Sequence, residues 1–68
     1  MLTPNTYFRH LNRFPDGSKL LHYTHNGQLV HVFPNGTRKD SEWTVEMVQM
    51  FTKHGSLIPV NRDSAFQG

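Results

Sequence analysis

The chain has 68 residues, with seven Lys and Arg against five Asp and Glu, and it contains no cysteine. This length allows one domain, and the missing cysteines exclude both a disulfide framework and a thiolate metal site. The formal net charge of +2 is mildly basic. The basic residues are also dispersed, which argues against the dense patch typical of duplex-DNA binders.

No segment has the composition of a membrane span or a secretory signal. The apolar runs are far shorter than the roughly 20 residues of a spanning helix, and no basic start precedes an apolar stretch at the N-terminus. We therefore expect a cytoplasmic protein with no membrane partner. We predict a single domain over residues 1–60 and a flexible tail over residues 61–68, because that tail offers little to bury.

Three turn signals divide the first forty residues into four predicted strands. Phe-Pro-Asp-Gly-Ser-Lys at positions 14–19 returns as Phe-Pro-Asn-Gly-Thr-Arg at positions 33–38. Proline fixes the first turn position and glycine supplies a left-handed residue, so residues 15–17 and 34–36 are predicted to be three-residue loops with a bulge. Asn26-Gly27 predicts a two-residue type I′ hairpin. Together these turns predict a β-meander with strands at about 6–14, 19–25, 28–33 and 37–40.

The predicted loop lengths determine which residues lie opposite each other. The two-residue loop places His22 opposite His31, and the loop at 15–17 places His10 opposite His22. One face of the predicted sheet then carries Leu11, Leu21, Tyr23, Val30 and Val32. The other face carries Phe8, His10, Leu20, His22, Leu29, His31 and Phe33, with Lys39 opposite His31 if the third loop also has three residues.

Residues 42–54 have the periodicity of an amphipathic helix of about three turns. A polar stripe is formed by Glu42, Glu46, Gln49 and Lys53, and an apolar stripe by Trp43, Met47, Met50 and Phe51. Ser41 or Thr44 is expected to cap the N-terminus, and Gly55 to take a left-handed conformation after the C-terminus. The extended segment at 56–60 is expected to pack along the sheet edge or the helix end.

The predicted fold class is therefore α+β. It is a four-stranded antiparallel β-meander with one C-terminal amphipathic helix, at about residues 42–54, packed on one face. Which of the two faces the helix covers is left open.

The predicted registers align His10, His22 and His31 across three adjacent strands. Directly opposed Cβ atoms lie about 5 Å apart, close enough for two imidazoles to share a zinc ion. The outer strands of such a row are about 9–10 Å apart, however, and no acidic residue shares the face to orient the rings. Zinc binding by this row is kept as a second alternative to the leading functional hypothesis.

Catalytic constellations are absent from the sequence pattern. There is no cysteine nucleophile and no glycine-rich loop between a strand and a helix. The carboxylates fall in turns, caps and a solvated helix stripe, where no apolar burial would raise a pKa for acid–base work. We therefore predict that the protein is not an enzyme and that it needs no cofactor.

The leading hypothesis is a small, non-enzymatic protein-interaction module that binds another macromolecule through an open sheet face. Aromatic anchors surrounded by polar groups are typical of protein-binding hot spots. The predicted binding surface consists of Phe8, His10, Leu20, His22, Leu29, His31, Phe33 and Lys39. By analogy of size alone, such a module suits an accessory protein of phage or mobile-element type that inhibits or redirects a host protein complex.

The first alternative is a protein that binds single-stranded nucleic acid. Aromatic rings on an open sheet would stack on bases, and Arg9, Arg38 and Lys39 would contact phosphates. A homodimer formed through the same face is left open, because a self-complementary apolar patch would hide that face.

Overall fold

A computed structural model describes residues 2–61 of the chain. The elements in chain order are β1 (Thr6–His10), β2 (Leu20–Tyr23), β3 (Leu29–Val32), β4 (Arg38–Asp40), α1 (Val45–Lys53) and β5 (Leu57–Val60). The strands form one antiparallel sheet in the order β4-β3-β2-β1-β5. The predicted α+β class is confirmed, with five strands where four were expected. Of the predicted tail at 61–68, all but Asn61 lies outside the described residues.

The fifth strand comes from the extended segment that follows the helix. Residues 57–60 pair with β1, so that Arg9 lies opposite Ile58 and Phe8 opposite Pro59. Proline is tolerated here because β5 is an edge strand, where its missing N–H leaves no internal ladder bond unmade. The expectation that this segment packs along the sheet edge is confirmed, and Leu57 is buried there.

All three turns of the meander share one design. The N–H groups of Gly17, Gly27 and Gly36 donate to carbonyls three residues earlier at 2.9–3.0 Å, and the three glycines have φ of 83–88°. The three-residue hairpin loop predicted at 34–36 is therefore confirmed. The turn predicted at 15–17 forms, but it lies within the longer connection from β1 to β2 and does not close a hairpin. The prediction of a two-residue type I′ loop at Asn26-Gly27 is wrong, because Asn26 does not take positive φ. His25 joins that loop, and the Thr24 N–H donates to the Gln28 carbonyl at 2.7 Å.

The extra loop residue shifts the register between β2 and β3 by one position. His22 lies opposite Val30, and His31 lies opposite Leu21. Because successive side chains in a strand point to opposite faces, a shift of one residue moves His22 and His31 to different faces. The predicted pairing of these two histidines is therefore wrong. The predicted placement of Lys39 opposite His31 is confirmed.

The pairing of β1 with β2 also differs from the expectation. His22 lies opposite Tyr7 rather than His10. The reason is that β1 ends at His10, and residues 11–19 form a connection instead of continuing the strand into a tight hairpin. Leu11, which the predicted register placed on an apolar face, is 64% exposed.

The helix covers the sheet face that carries Phe8 and Leu21, called the helix face below. The core between them consists of Phe8, Phe14, Leu21, Val48 and Leu57, with Trp43 and Phe51 among the side chains packed against it. The opposite face, called the far face, carries a second buried cluster of Tyr7, Leu20 and Val32. The buried members of the two clusters are at most 6% exposed, so within residues 2–61 neither cluster presents an open apolar surface.

The helix is shorter than predicted but is capped as expected. Thr44 has an extended conformation, and its Oγ1 accepts a hydrogen bond from the Met47 N–H at 3.2 Å. Just before this cap, Ser41 Oγ accepts a hydrogen bond from the Trp43 N–H at 3.0 Å, and the helix begins at Val45. Gly55 takes the predicted left-handed conformation. Within residues 2–61 no helix has the length and apolar character needed to cross a membrane.

Candidate functional site

The predicted binding surface is divided between the two faces of the sheet. Residues that are directly opposite in an antiparallel pair share a face, and neighbours along a strand do not. Leu20 and His22 therefore lie on the far face with Val30 and Val32. Lying on the helix face or near its margin are Phe8, His10, Leu29, His31 and Lys39, and Phe33 follows the end of β3. The side chains of Phe8 and Leu20 are buried, so neither is accessible to a binding partner.

The three histidines of the predicted zinc row do not converge. His22 and His31 lie on opposite faces of the sheet, and the Nδ1 of His10 accepts a hydrogen bond from the Asn12 N–H at 3.1 Å. Among residues 2–61 no group of three or more His, Cys, Asp or Glu side chains is arranged to hold a metal ion.

The three predicted phosphate contacts do not form one patch either. Arg38 lies opposite Val32 on the far face, where its guanidinium donates to the Nδ1 of His22 at 2.7 Å. Lys39 follows Arg38 along β4 and so projects from the helix face. Arg9 lies opposite Leu20 and so shares the far face with Arg38, but it is three strands away, at the end of β1, where other basic residues gather.

That location is a groove beside the connection between β1 and β2. Its volume is about 630 Å³, and its walls include Arg9, His10, Leu11, Arg13 and Lys19, with Pro34 from the neighbouring loop. Three full cations thus line one concave surface. Among the described residues no carboxylate lines it. We call this concave surface the basic groove.

The connection that forms the basic groove is held at several points along its length. The Leu11 N–H donates to the Ser56 carbonyl at 2.8 Å, and the Lys19 N–H donates to the Val32 carbonyl at 2.8 Å. Between these points Phe14 is 2% exposed and packs edge-on against His31 and Trp43, with ring centroids 5.4 and 5.6 Å away. The backbone that carries Arg13 and Lys19 is therefore positioned by the folded core.

Leu11 is the least expected residue of the basic groove. It is 64% exposed, and it lies between Arg9 and Arg13 in the sequence. A single exposed leucine needs no explanation by itself, but this one lies in a concavity whose other prominent side chains are cationic. Sequence reasoning placed Leu11 in the core and missed Arg13 and Lys19. The useful signal was the spacing of Arg9 and Arg13 around an apolar residue.

A second polar arrangement centres on the buried side chain of His31. Its Nε2 lies 2.9 Å from the Oγ of Ser41, and its Nδ1 lies 3.1 Å from the Oγ of Ser18. The Ser18 hydroxyl donates in turn to Asp16 Oδ1 at 2.6 Å. A carboxylate only accepts, so the Ser18 hydroxyl accepts from the His31 Nδ1–H, and in a neutral ring the Nε2 then accepts from Ser41. We call this series, from Asp16 through Ser18 and His31 to Ser41, the His31 chain.

The electrostatics of the His31 chain match this pattern of donors and acceptors. Burial lowers the pKa of His31; the charge of Asp16 opposes this shift and that of Lys39 adds to it. Desolvation alone would raise the pKa of Asp16. This effect is outweighed by hydrogen bonds from the Ser18 hydroxyl and amide, together with the charges of His31 and Lys39. The net result is a lowered pKa of Asp16. At neutral pH the chain therefore joins an ionised Asp16 to a neutral His31.

Ser41, His31 and Asp16 have the composition of a catalytic triad but not its arrangement. In such a triad the carboxylate bonds directly to the histidine and the serine faces a substrate. Here Asp16 Oδ2 is 3.8 Å from His31 Nδ1, with the Ser18 hydroxyl serving as the bridge. A neighbouring cavity of about 250 Å³ is lined by Asp16 and His31 but not by Ser41. The arrangement therefore connects the loop at 15–18 to the segment before α1.

Comparison with known proteins gives no match to a protein-family model, to a curated protein or to a solved structure. The functional argument consequently depends on the geometry of the basic groove and of the His31 chain.

Proposed function

We propose that the protein is a non-enzymatic interaction module that binds a partner protein through the basic groove. The observation that carries this proposal is the juxtaposition of three cations and an exposed leucine on one concave surface of about 630 Å³. An apolar centre surrounded by polar and charged groups is the usual anatomy of a protein-binding patch. The proposal moves the predicted interaction surface from the sheet face to the end of the sheet.

A protein partner fits the basic groove better than single-stranded nucleic acid does. Proteins that bind single strands combine cations with aromatic rings on which bases stack. Among residues 2–61 the large hydrophobic side chains that are exposed are Leu11 and Met50, and neither is aromatic. Phe14, the aromatic residue in the groove lining, is 2% exposed and is part of the core. The narrower role in inhibiting a host complex stays a prediction, because it concerns the identity of the partner.

Site-specific photo-cross-linking tests the proposal directly. Benzoylphenylalanine is introduced at Leu11 in the groove or, as the matched control, at Met50, which is also an exposed apolar residue but lies on the helix. In an extract of the source organism, illumination should give a discrete protein adduct from position 11 and none from position 50. The adduct should survive nuclease treatment and should be lost when Arg13→Glu is added.

Two results would refute the proposal. One is the same set of adducts from both positions, which would show that any exposed apolar residue cross-links without selectivity. The other is an adduct from position 11 that disappears with nuclease, which would identify nucleic acid as the bound species.

A further inference from the structure

The basic groove also indicates the chemistry of its ligand. We infer that it recognises an acidic, extended peptide segment that carries carboxylates on both sides of an apolar side chain. This inference depends on the proposed function, because it names the kind of partner that the interaction module binds.

The first argument is charge complementarity. Arg9, Arg13 and Lys19 line the same concavity, and among the described residues no Asp or Glu lines it with them. Like charges gathered without counter-charges raise the local potential and attract anionic ligands. The two arginines can each bind a carboxylate through two parallel hydrogen bonds, which a compact ammonium group cannot do.

The second argument is the position of the apolar side chain. Leu11 falls between the two arginines in the sequence and is 64% exposed, and Pro34 contributes a second apolar surface to the lining. A ligand that is anionic throughout would satisfy the cations and leave Leu11 in water. A peptide with an apolar residue between acidic ones would cover Leu11 while its carboxylates meet the arginines.

The third argument is that the groove is held in shape without a ligand. Backbone hydrogen bonds at Leu11 and Lys19 and the buried ring of Phe14 fix the connection at both ends and in the middle. Ser18, another lining residue, is a member of the His31 chain. Binding therefore needs little ordering of this backbone, and the entropic cost of ordering falls mainly on the peptide.

The test uses fluorescence anisotropy of the whole protein with a fluorescein-labelled peptide, Gly-Glu-Glu-Leu-Glu-Glu-Gly. Two matched peptides separate the contributions: one has every glutamate replaced by glutamine, and one has the leucine replaced by serine. We expect binding to the glutamine peptide to be weaker by about tenfold or more, and binding to the serine peptide to be several-fold weaker. Added salt should weaken binding of the acidic peptide, since ion pairs at the surface are screened.

Variants of the protein locate the site. Arg13→Glu and Lys19→Glu should each strongly weaken binding of the acidic peptide. Lys53→Glu makes the same charge change at an exposed residue of α1 and should not weaken binding. Leu11→Ser should remove the preference for the leucine peptide over the serine peptide. If the substitutions at Lys19 and Lys53 reduced the affinity for the acidic peptide equally, the assignment of the site to the basic groove would be overturned, because net charge alone would then govern binding.

Two further outcomes separate this inference from the proposed function. If an oligothymidylate binds more tightly than the acidic peptide, the groove prefers phosphate and the inference fails. If none of the peptides binds but cross-linking from position 11 still captures a protein, the acidic-peptide inference fails and the interaction module stands. If neither experiment gives binding, both are overturned.

Discussion

The Nε2 of His31 lies 2.9 Å from the Oγ of Ser41, and this contact connects β3 to the segment that leads into α1. On the other side of the same ring, Nδ1 lies 3.1 Å from the Oγ of Ser18. A neutral imidazole can donate from one nitrogen and accept at the other, whereas a protonated one only donates. The Ser41 hydroxyl can therefore donate to Nε2 only while His31 is neutral.

Stability should consequently fall when the solution is acidified. Burial lowers the pKa of His31 below its ordinary value of 6.5, so the unfolded chain binds this proton more readily than the folded one. The stabilisation from the neutral ring is complete above about pH 6.5 and is lost progressively as the pH decreases below that value. Urea unfolding should give a smaller free energy at about pH 5 than at about pH 7.5. Asp16, whose pKa is also lowered, adds a further loss in more acidic solution.

His31→Gln provides the control for this pH dependence. Glutamine retains a donor and an acceptor but does not titrate, so its stability curve should be flatter over the same interval. If His31→Gln kept the full wild-type pH dependence of stability, the His31 chain would not be the source of that dependence.

The features that could be predicted from the sequence are the ones with local causes. Proline and glycine at 15–17 and 34–36 define their own turns, and the cap at Thr44 and the left-handed Gly55 depend on their nearest neighbours. The strand register is not local in this sense. Asn-Gly suits a two-residue hairpin, but its glycine equally suits the last position of a three-residue loop, and one residue of difference exchanges the two faces.

The candidate site was missed for a related reason. The alternation of residues 6–14 favours one long strand, yet β1 ends at His10 and Phe14 instead enters the core between His31 and Trp43. Whether an apolar residue continues a strand or anchors a connection depends on contacts with distant elements. Periodicity along the chain does not contain that information, so Leu11 was placed in the core.

Zinc should leave the thermal stability of the protein unchanged. His22 and His31 project from opposite faces of the sheet, and the Nδ1 of His10 is engaged by the Asn12 amide. A metal stabilises a fold only if it binds the native state more tightly than the unfolded one. The melting temperature should therefore be the same with excess zinc and with a chelator. A rise with zinc that disappears in His22→Ala would contradict the observed register.

Leu21 and Leu11 should differ sharply in their contribution to stability. Leu21 is fully buried against α1, and Leu21→Ala should destabilise the protein by about 2–5 kcal/mol. Leu11 is 64% exposed, and Leu11→Ala should stay within about 0.5 kcal/mol of the wild type. Urea unfolding measures both values. If Leu21→Ala leaves no folded population, the smaller truncation Leu21→Val should give a measurable intermediate loss, and a large loss at Leu11 would contradict its exposed placement.

Replacing a loop glycine should destabilise the protein through backbone strain and not through steric clashes of the new side chain. Gly36 has φ of 88°, and a Cβ added there would meet nothing within 4 Å. Gly36→Ala should therefore cost about 1–2 kcal/mol from the left-handed conformation alone. Gly36→Asn should cost less, because asparagine visits this region more readily. The two substitutions are compared by their urea midpoints at equal m-value. Equal midpoints for alanine, asparagine and the wild type would show that the loop adopts another conformation when the glycine is replaced, and that the bulged turn is not required.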